Sequence, residues 1–152
     1  MLNRLQDVFK YFQRHNVKYV VIGGIASVLH GVPRATFDLD ILIEATAENA
    51  EVLLKALLDA GLGTATLTNA KELLANEITI FKDRVRIDVQ TSTPGIEFHD
   101  AWLHRKTIVY LNQEFYILSK EDLIASKKAA GREIDLSDVH LLELPVEDIE
   151  PL

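Results

Sequence analysis

A chain of 152 residues, 48% of them hydrophobic and 26% charged, is sized for one globular domain over residues 1–152, with little room for a second. Its net charge of −7 excludes a surface that is a general sleeve for nucleic acid, and the lack of cysteine excludes disulfides, thiolate metal sites and cysteine nucleophiles. The start, Met1 to Asp7, lacks the apolar run of a secretory signal, and no uncharged stretch reaches bilayer length, so the expectation is a cytoplasmic chain with no membrane partner.

Leu2, Leu5, Val8, Phe9 and Phe12 recur at helical spacing and predict an amphipathic helix over 2–15. Tyr19 to Ile22 is a short β-branched run stopped by Gly23-Gly24, as a buried strand would be. A short helix is expected from Ile25 to His30, ended by Gly31 and Pro33. Alternation of Asp38 and Asp40 with Leu39, Ile41 and Ile43 reads as a strand. A helix over 47–60 follows, with Thr46 as N-cap and Gly61 as its stop. Two strands, 77–81 and 85–90, flank Lys82-Asp83-Arg84, and the second carries Asp88. A weaker helix covers 98–104, and another strand pair, 108–111 and 115–118, turns at Asn112-Gln113-Glu114. Ser119, with Asp122 three residues on, opens a helix that Gly131 ends, and 135–144 form a last helix closed by Pro145. With no repeat or linker, the pattern is α/β in the α+β sense: a mixed sheet flanked by helices.

Three segments carry candidate chemistry. Gly23 and Gly24 would let a phosphate approach the backbone, although a bare Gly-Gly is ordinarily a tight turn. Asp38 and Asp40, one residue apart on a strand, point to one face and can share a hard cation such as Mg²⁺; the alternative is a solvated edge, against which the apolar neighbours Leu39 and Ile41 to Ile43 argue. Asp88 interrupts an apolar strand and needs a partner if buried, but the alternation of Arg84, Arg86, Asp88 and Gln90 also suits an exposed face. Arg34 could hold phosphate oxygens and Thr36 could orient an aspartate, while Lys127 and Arg132 could reach an anionic ligand. The five histidines have no metal-ligand spacing, and no serine sits in a nucleophile elbow.

The run from Gly23-Gly24 through Arg34, Thr36 and Asp38-Leu39-Asp40 resembles the nucleotidyltransferase superfamily, marked by a glycine turn followed by paired aspartates. It looks most like the small minimal-nucleotidyltransferase and abortive-infection-toxin members. Asp88 matches their third acid, and Glu121 to Arg132, followed by Asp135 and Asp138, matches a later segment, so the likeness spans about residues 20–142.

The resemblance implies Mg²⁺, or Mn²⁺, held by Asp38, Asp40 and Asp88. It implies an NTP whose phosphates meet Gly23 and Gly24, with Arg34, Thr36, Lys127 and Arg132 as further nucleotide contacts, and an RNA or protein acceptor. Gly24 stands where many members carry serine. A second reading is therefore a non-catalytic nucleotide-binding module or one half of a toxin–antitoxin-type pair. Direct RNA binding is a third, opposed by the net charge of −7.

Overall fold

The sheet has six strands in the order β3 (Ile78–Lys82), β4 (Arg86–Gln90), β2 (Leu39–Ile43), β1 (Tyr19–Ile22), β6 (Gln113–Ile117) and β5 (Lys106–Tyr110), and the chain enters it at its centre. A computed structural model describes residues 2–145, so Met1 and residues 146–152 of the expected domain lie outside the described residues. A 3₁₀ turn, Leu2–Leu5, leads into α1, Gln6–Arg14, so the first amphipathic segment is two pieces rather than one helix. Its apolar stripe survives the change: Leu5, Val8, Phe9 and Phe12 are all buried.

β1 (Tyr19–Ile22) is buried at every position, as expected of a central strand flanked on both sides. It runs antiparallel to β2 (Leu39–Ile43) and parallel to β6 (Gln113–Ile117). β2 in turn lies parallel to β4 (Arg86–Gln90), which closes a hairpin with β3 (Ile78–Lys82), while β5 (Lys106–Tyr110) pairs β6 at the other edge. The β5–β6 turn is shorter than expected. Leu111 and Asn112, at φ 47° and 64°, form a two-residue loop of the mirror-image type that suits strand twist.

Pleating divides the strands into two faces. Tyr19, Val21, Ile41, Ile43, Ile87, Val89 and Phe115 face one way and are covered by α1, where Phe9 stacks on Phe115 at 4.2 Å and Phe12 meets Tyr19 at 4.8 Å. α3 (Ala47–Asp59) packs beside α1; Thr46 caps it by accepting from the Asn49 N–H, as its sequence indicates. The opposite face carries Val20, Ile22, Asp40 and Asp88, and four helices assemble there.

Those helices are α2 (Gly23–Leu29), α5 (Phe98–His104), α6 (Lys120–Ala130) and α7 (Glu133–Leu142). Ser119 accepts from the Asp122 N–H at 3.1 Å and Gly131 closes α6 in the left-handed conformation at φ 69°, so both expected ends hold. α7 begins two residues earlier than its apolar period suggests, because Asp135 accepts from the Arg132 N–H and caps it. The sequence reading misses α4 (Ala70–Ala75) altogether. It is six residues long with Leu73 its sole buried side chain, too short for a period to register, and the Asn69 cap accepting from the Glu72 N–H at 2.9 Å marks it.

Candidate active site

The site begins where β1 stops. At Gly23 the chain turns with φ +68° directly into α2, two residues before the helix start expected from the apolar pattern. Register places Ile22 opposite Asp40, which brings the turn over that carboxylate. A Cβ at Gly23 would collide with Asp40 Oδ2, so glycine is required here for both the dihedral and the space.

Gly24 is required for a different reason. A Cβ there would stand 2.6 Å from Thr36 Oγ1 and 3.1 Å from Arg34 Nη2. The segment before β2 thus folds back and fills the place of a side chain at 24 with the Thr36 hydroxyl. Gly24→Ser is expected to lower stability by about 1–3 kcal/mol through overpacking, read by urea unfolding. Adding Thr36→Ala should return most of that loss; a double variant no more stable than Gly24→Ser contradicts the packing account.

Two parallel strands carry the three aspartates to one side of the sheet. Asp40 on β2 and Asp88 on β4 are directly paired in register, and Asp38 lies just before the first residue of β2 with its side chain 48% exposed. Burial, the negative charge of Asp88 and a hydrogen bond shared with it push the Asp40 pKa up to about 7, with Asp38 adding to the rise and Arg86 opposing it. Arg86, two residues before Asp88 and on the same face, grips it with Nε on Oδ1 at 2.9 Å and Nη2 on Oδ2 at 3.2 Å. The same Nε is 3.7 Å from Asp38. Among the described residues no three acidic or histidine side chains converge as a metal-holding group, and here the guanidinium lies between two of the three acids.

The facing wall comes from α6 and α7. Lys127, 5% exposed, places Nζ 3.0 Å from Asp138 and 3.7 Å from Asp135. Asp138, itself 2% exposed, also holds Arg34 Nη2 at 3.0 Å and accepts from Ser27 Oγ at 3.4 Å, tying α2, the segment before β2 and both helices together. Arg132 spans the same region from outside, with Nε 2.7 Å and Nη2 3.1 Å from the two oxygens of Asp135. Burial works against the Asp135 carboxylate, but Arg132 and then Lys127 outweigh it and leave the pKa below the ordinary carboxylate value. Between the walls is a cleft of about 310 Å³, lined on the sheet side by Asp38, Asp40 and Asp88 and on the helix side by Lys127, Arg132 and Asp135.

Nearly all of the candidate residues are therefore neighbours. Asp38, Asp40, Asp88, Gly23, Lys127 and Arg132 line one cleft, while Gly24, Arg34 and Thr36 pack together immediately behind the turn. Sequence reasoning gave no role to Arg86, although its spacing of two from Asp88 on a strand places it on the acid's face. The pairing of Asp138 with Lys127 and Arg34 had no such signal, since these residues meet only through tertiary packing.

A family model described as "Nucleotidyltransferase of unknown function (DUF6036)" matches residues 2–147. The chain belongs to this family. Among solved structures it is similar to an antigenic nucleotidyltransferase-like protein from Paracoccidioides brasiliensis, at 18% identity and TM-score 0.60, covering 92% of this chain and 73% of that one. It is also similar to a nucleotidyltransferase-like protein from Thermotoga maritima, at 15% identity and TM-score 0.54, covering 93% and 88%. At such identities the likeness establishes the nucleotidyltransferase fold, a mixed sheet with flanking helices. A search of curated protein sequences finds no match. No helix among the described residues of this nucleotidyltransferase-family chain is long and apolar enough to cross a membrane.

Proposed function

We propose that the chain is a cytoplasmic enzyme transferring an NMP group from an NTP to a hydroxyl of an RNA or protein acceptor, with Mg²⁺ or Mn²⁺ as cofactor. The observation that carries this is the in-register pairing of Asp40 with Asp88 across a cleft from Lys127 and Arg132. One wall is acidic and the other holds cations, which is the charge pattern a metal–polyphosphate needs.

The donor set suits the metal. Asp38, Asp40 and Asp88 offer only oxygen, which Mg²⁺ prefers, and a divalent cation would offset both the burial and the charge of Asp88 that together lift Asp40 to about 7. When bound, the ion would neutralise phosphate charge and polarise the phosphoryl group under attack.

The rest falls to the protein's own groups. Arg132, exposed at the rim, is placed to meet phosphate oxygens, and Lys127 lends the inner wall its charge while fixed by Asp138. The Gly23 turn lies over Asp40 at the edge of the cleft, with the Thr36 hydroxyl and Arg34 behind Gly24, so phosphates held by the ion would come beside its backbone. As the acceptor oxygen bonds the α-phosphorus, the bond to the pyrophosphate oxygen breaks. The acceptor proton passes to Asp88, which stands on the strand beside the open edge β3.

The test is incubation of the purified protein with each labelled NTP, Mg²⁺ or Mn²⁺, and pools of RNA and protein. Label transfer is expected, and Asp88→Asn should cut it by about 10²–10⁴-fold. No transfer and no nucleotide binding under any of these conditions sinks the proposal.

A second reading, a nucleotide-binding or toxin–antitoxin-type interaction module without turnover, draws on the clamped state of Asp88 and the lack of three converging acids among the described residues. Calorimetry separates the two, since this reading expects nucleotide binding with no product.

A further inference from the structure

Arg86 is the first residue of β4 and its side chain is 38% exposed. Among the described residues its guanidinium bonds nothing but the acids of the cleft: both oxygens of Asp88, and Asp38 at the longer 3.7 Å. An arginine side chain is charged at any working pH, so it is a permanent cation. No other described residue bonds its guanidinium, and the side chain is partly open to solvent.

We propose that Arg86 is an internal competitor for the metal ion, seated on the carboxylates the ion needs and displaced when the ion binds. The inference rests on the metal reading above. A fork that engages both oxygens of Asp88 while leaning on Asp38 stands between two of the three proposed ligands and keeps them from converging on a third position. A divalent cation beside it would also face a fixed like charge at close range.

Binding of the free metal therefore includes the loss of the Arg86–Asp88 pair, and the affinity for metal alone is reduced accordingly. Once displaced, the guanidinium remains anchored at the start of β4 beside the cleft. An incoming polyphosphate offers it a replacement anion, so metal and nucleotide should favour each other more in the wild type than in a variant lacking Arg86.

The test measures binding of Mn²⁺ alone by the free-ion electron paramagnetic resonance signal, with no nucleotide and no turnover. Arg86→Met keeps the aliphatic stem and removes the charge; it should tighten Mn²⁺ binding by about tenfold relative to wild type. Arg86→Lys keeps the charge without the fork and should fall between the two. Without metal, Arg86→Met should melt below wild type, and saturating Mn²⁺ should raise its melting temperature more than it raises that of the wild type.

Mn²⁺ affinity that is unchanged or weaker in folded Arg86→Met, while wild-type binding is still lost in Asp40→Asn, overturns the competitor role and leaves the metal site standing. No Mn²⁺ binding by wild type or either variant overturns both. Should Arg86→Met fail to fold, Arg86→Lys decides, since affinity no greater than wild type contradicts the proposal.

Discussion

Replacing Asp40 with asparagine is expected to stabilise the protein at pH 8 by about 2 kcal/mol more than at pH 5, a difference of about 4–8 °C in melting temperature for a chain of this size. The cause is the carboxyl pushed up to about 7 by burial and by Asp88. Well below the ordinary aspartate value of about 4 it is protonated whether the chain is folded or not, and it costs nothing. As pH rises, the unfolded chain releases the proton freely, while the folded chain holds it until about pH 7. Through that window the unfolded state binds fewer protons, so stability falls with rising pH, and above it the full penalty remains. Asparagine is neutral throughout and can donate to Asp88. The full shift corresponds to about 4 kcal/mol at 1.36 kcal/mol per pKa unit, and roughly two-thirds of it falls between pH 5 and pH 8; about 2 kcal/mol is expected there, because the proton is shared with Asp88 and the site is open to solvent on one side. Thermal melts of both proteins from pH 5 to pH 8 check this, and parallel curves contradict it. Saturating Mg²⁺ at pH 8 should raise the wild-type melting temperature and leave Asp40→Asn unmoved. The same substitution should thus stabilise the fold while, on the proposed mechanism, abolishing transfer.

The cluster of acids behind that shift was half legible in the sequence. Asp38 and Asp40 alternate with apolar residues, which is enough to put them on one face; β1 and β2 are antiparallel neighbours, so the glycines that end one lie over the acids that begin the other. Asp88 needed the structure, because the alternation around it fits an exposed strand equally well, and only its register against Asp40 makes it part of the cleft. Lys127 was legible as a cation near the site but not as a buried one, since Lys127-Lys128 reads as a solvated helix face. In fact its neighbour Lys128 is the solvated one, paired with Glu143 at 2.8 Å on the surface. What hides Lys127 is Asp138, eleven positions away on the next helix. Local pattern reports which residues share a face; it does not report which charges are neutralised, because that depends on how the helices cross.

Asp138→Ala should therefore be among the most damaging substitutions in the chain although Asp138 touches no proposed substrate, with a loss of about 3–5 kcal/mol and a fall of roughly 10 °C in melting temperature. Its carboxylate, 2% exposed, answers Lys127 and Arg34 at 3.0 Å each and Ser27 at 3.4 Å. Removing it leaves Lys127 buried with only Asp135 at 3.7 Å, already committed to Arg132, and leaves Arg34 without its anion. Asp138→Asn, which keeps the volume and an acceptor for Ser27 but not the charge, should lose about half as much. Glu143→Ala provides the contrast. The Lys128–Glu143 pair is shorter, 2.8 Å, but its partners are 57% and 48% exposed, and its loss should cost no more than about 0.5 kcal/mol. Urea unfolding of the three variants ranks burial against distance, and equal losses at 138 and 143 contradict the account. The functional consequence follows from what Asp138 joins: α2 through Ser27, the segment behind Gly24 through Arg34, and the inner wall through Lys127. Asp138→Asn, where still folded, should weaken nucleotide binding by loosening the cationic wall from the glycine turn, which a purely local role in α7 would not do.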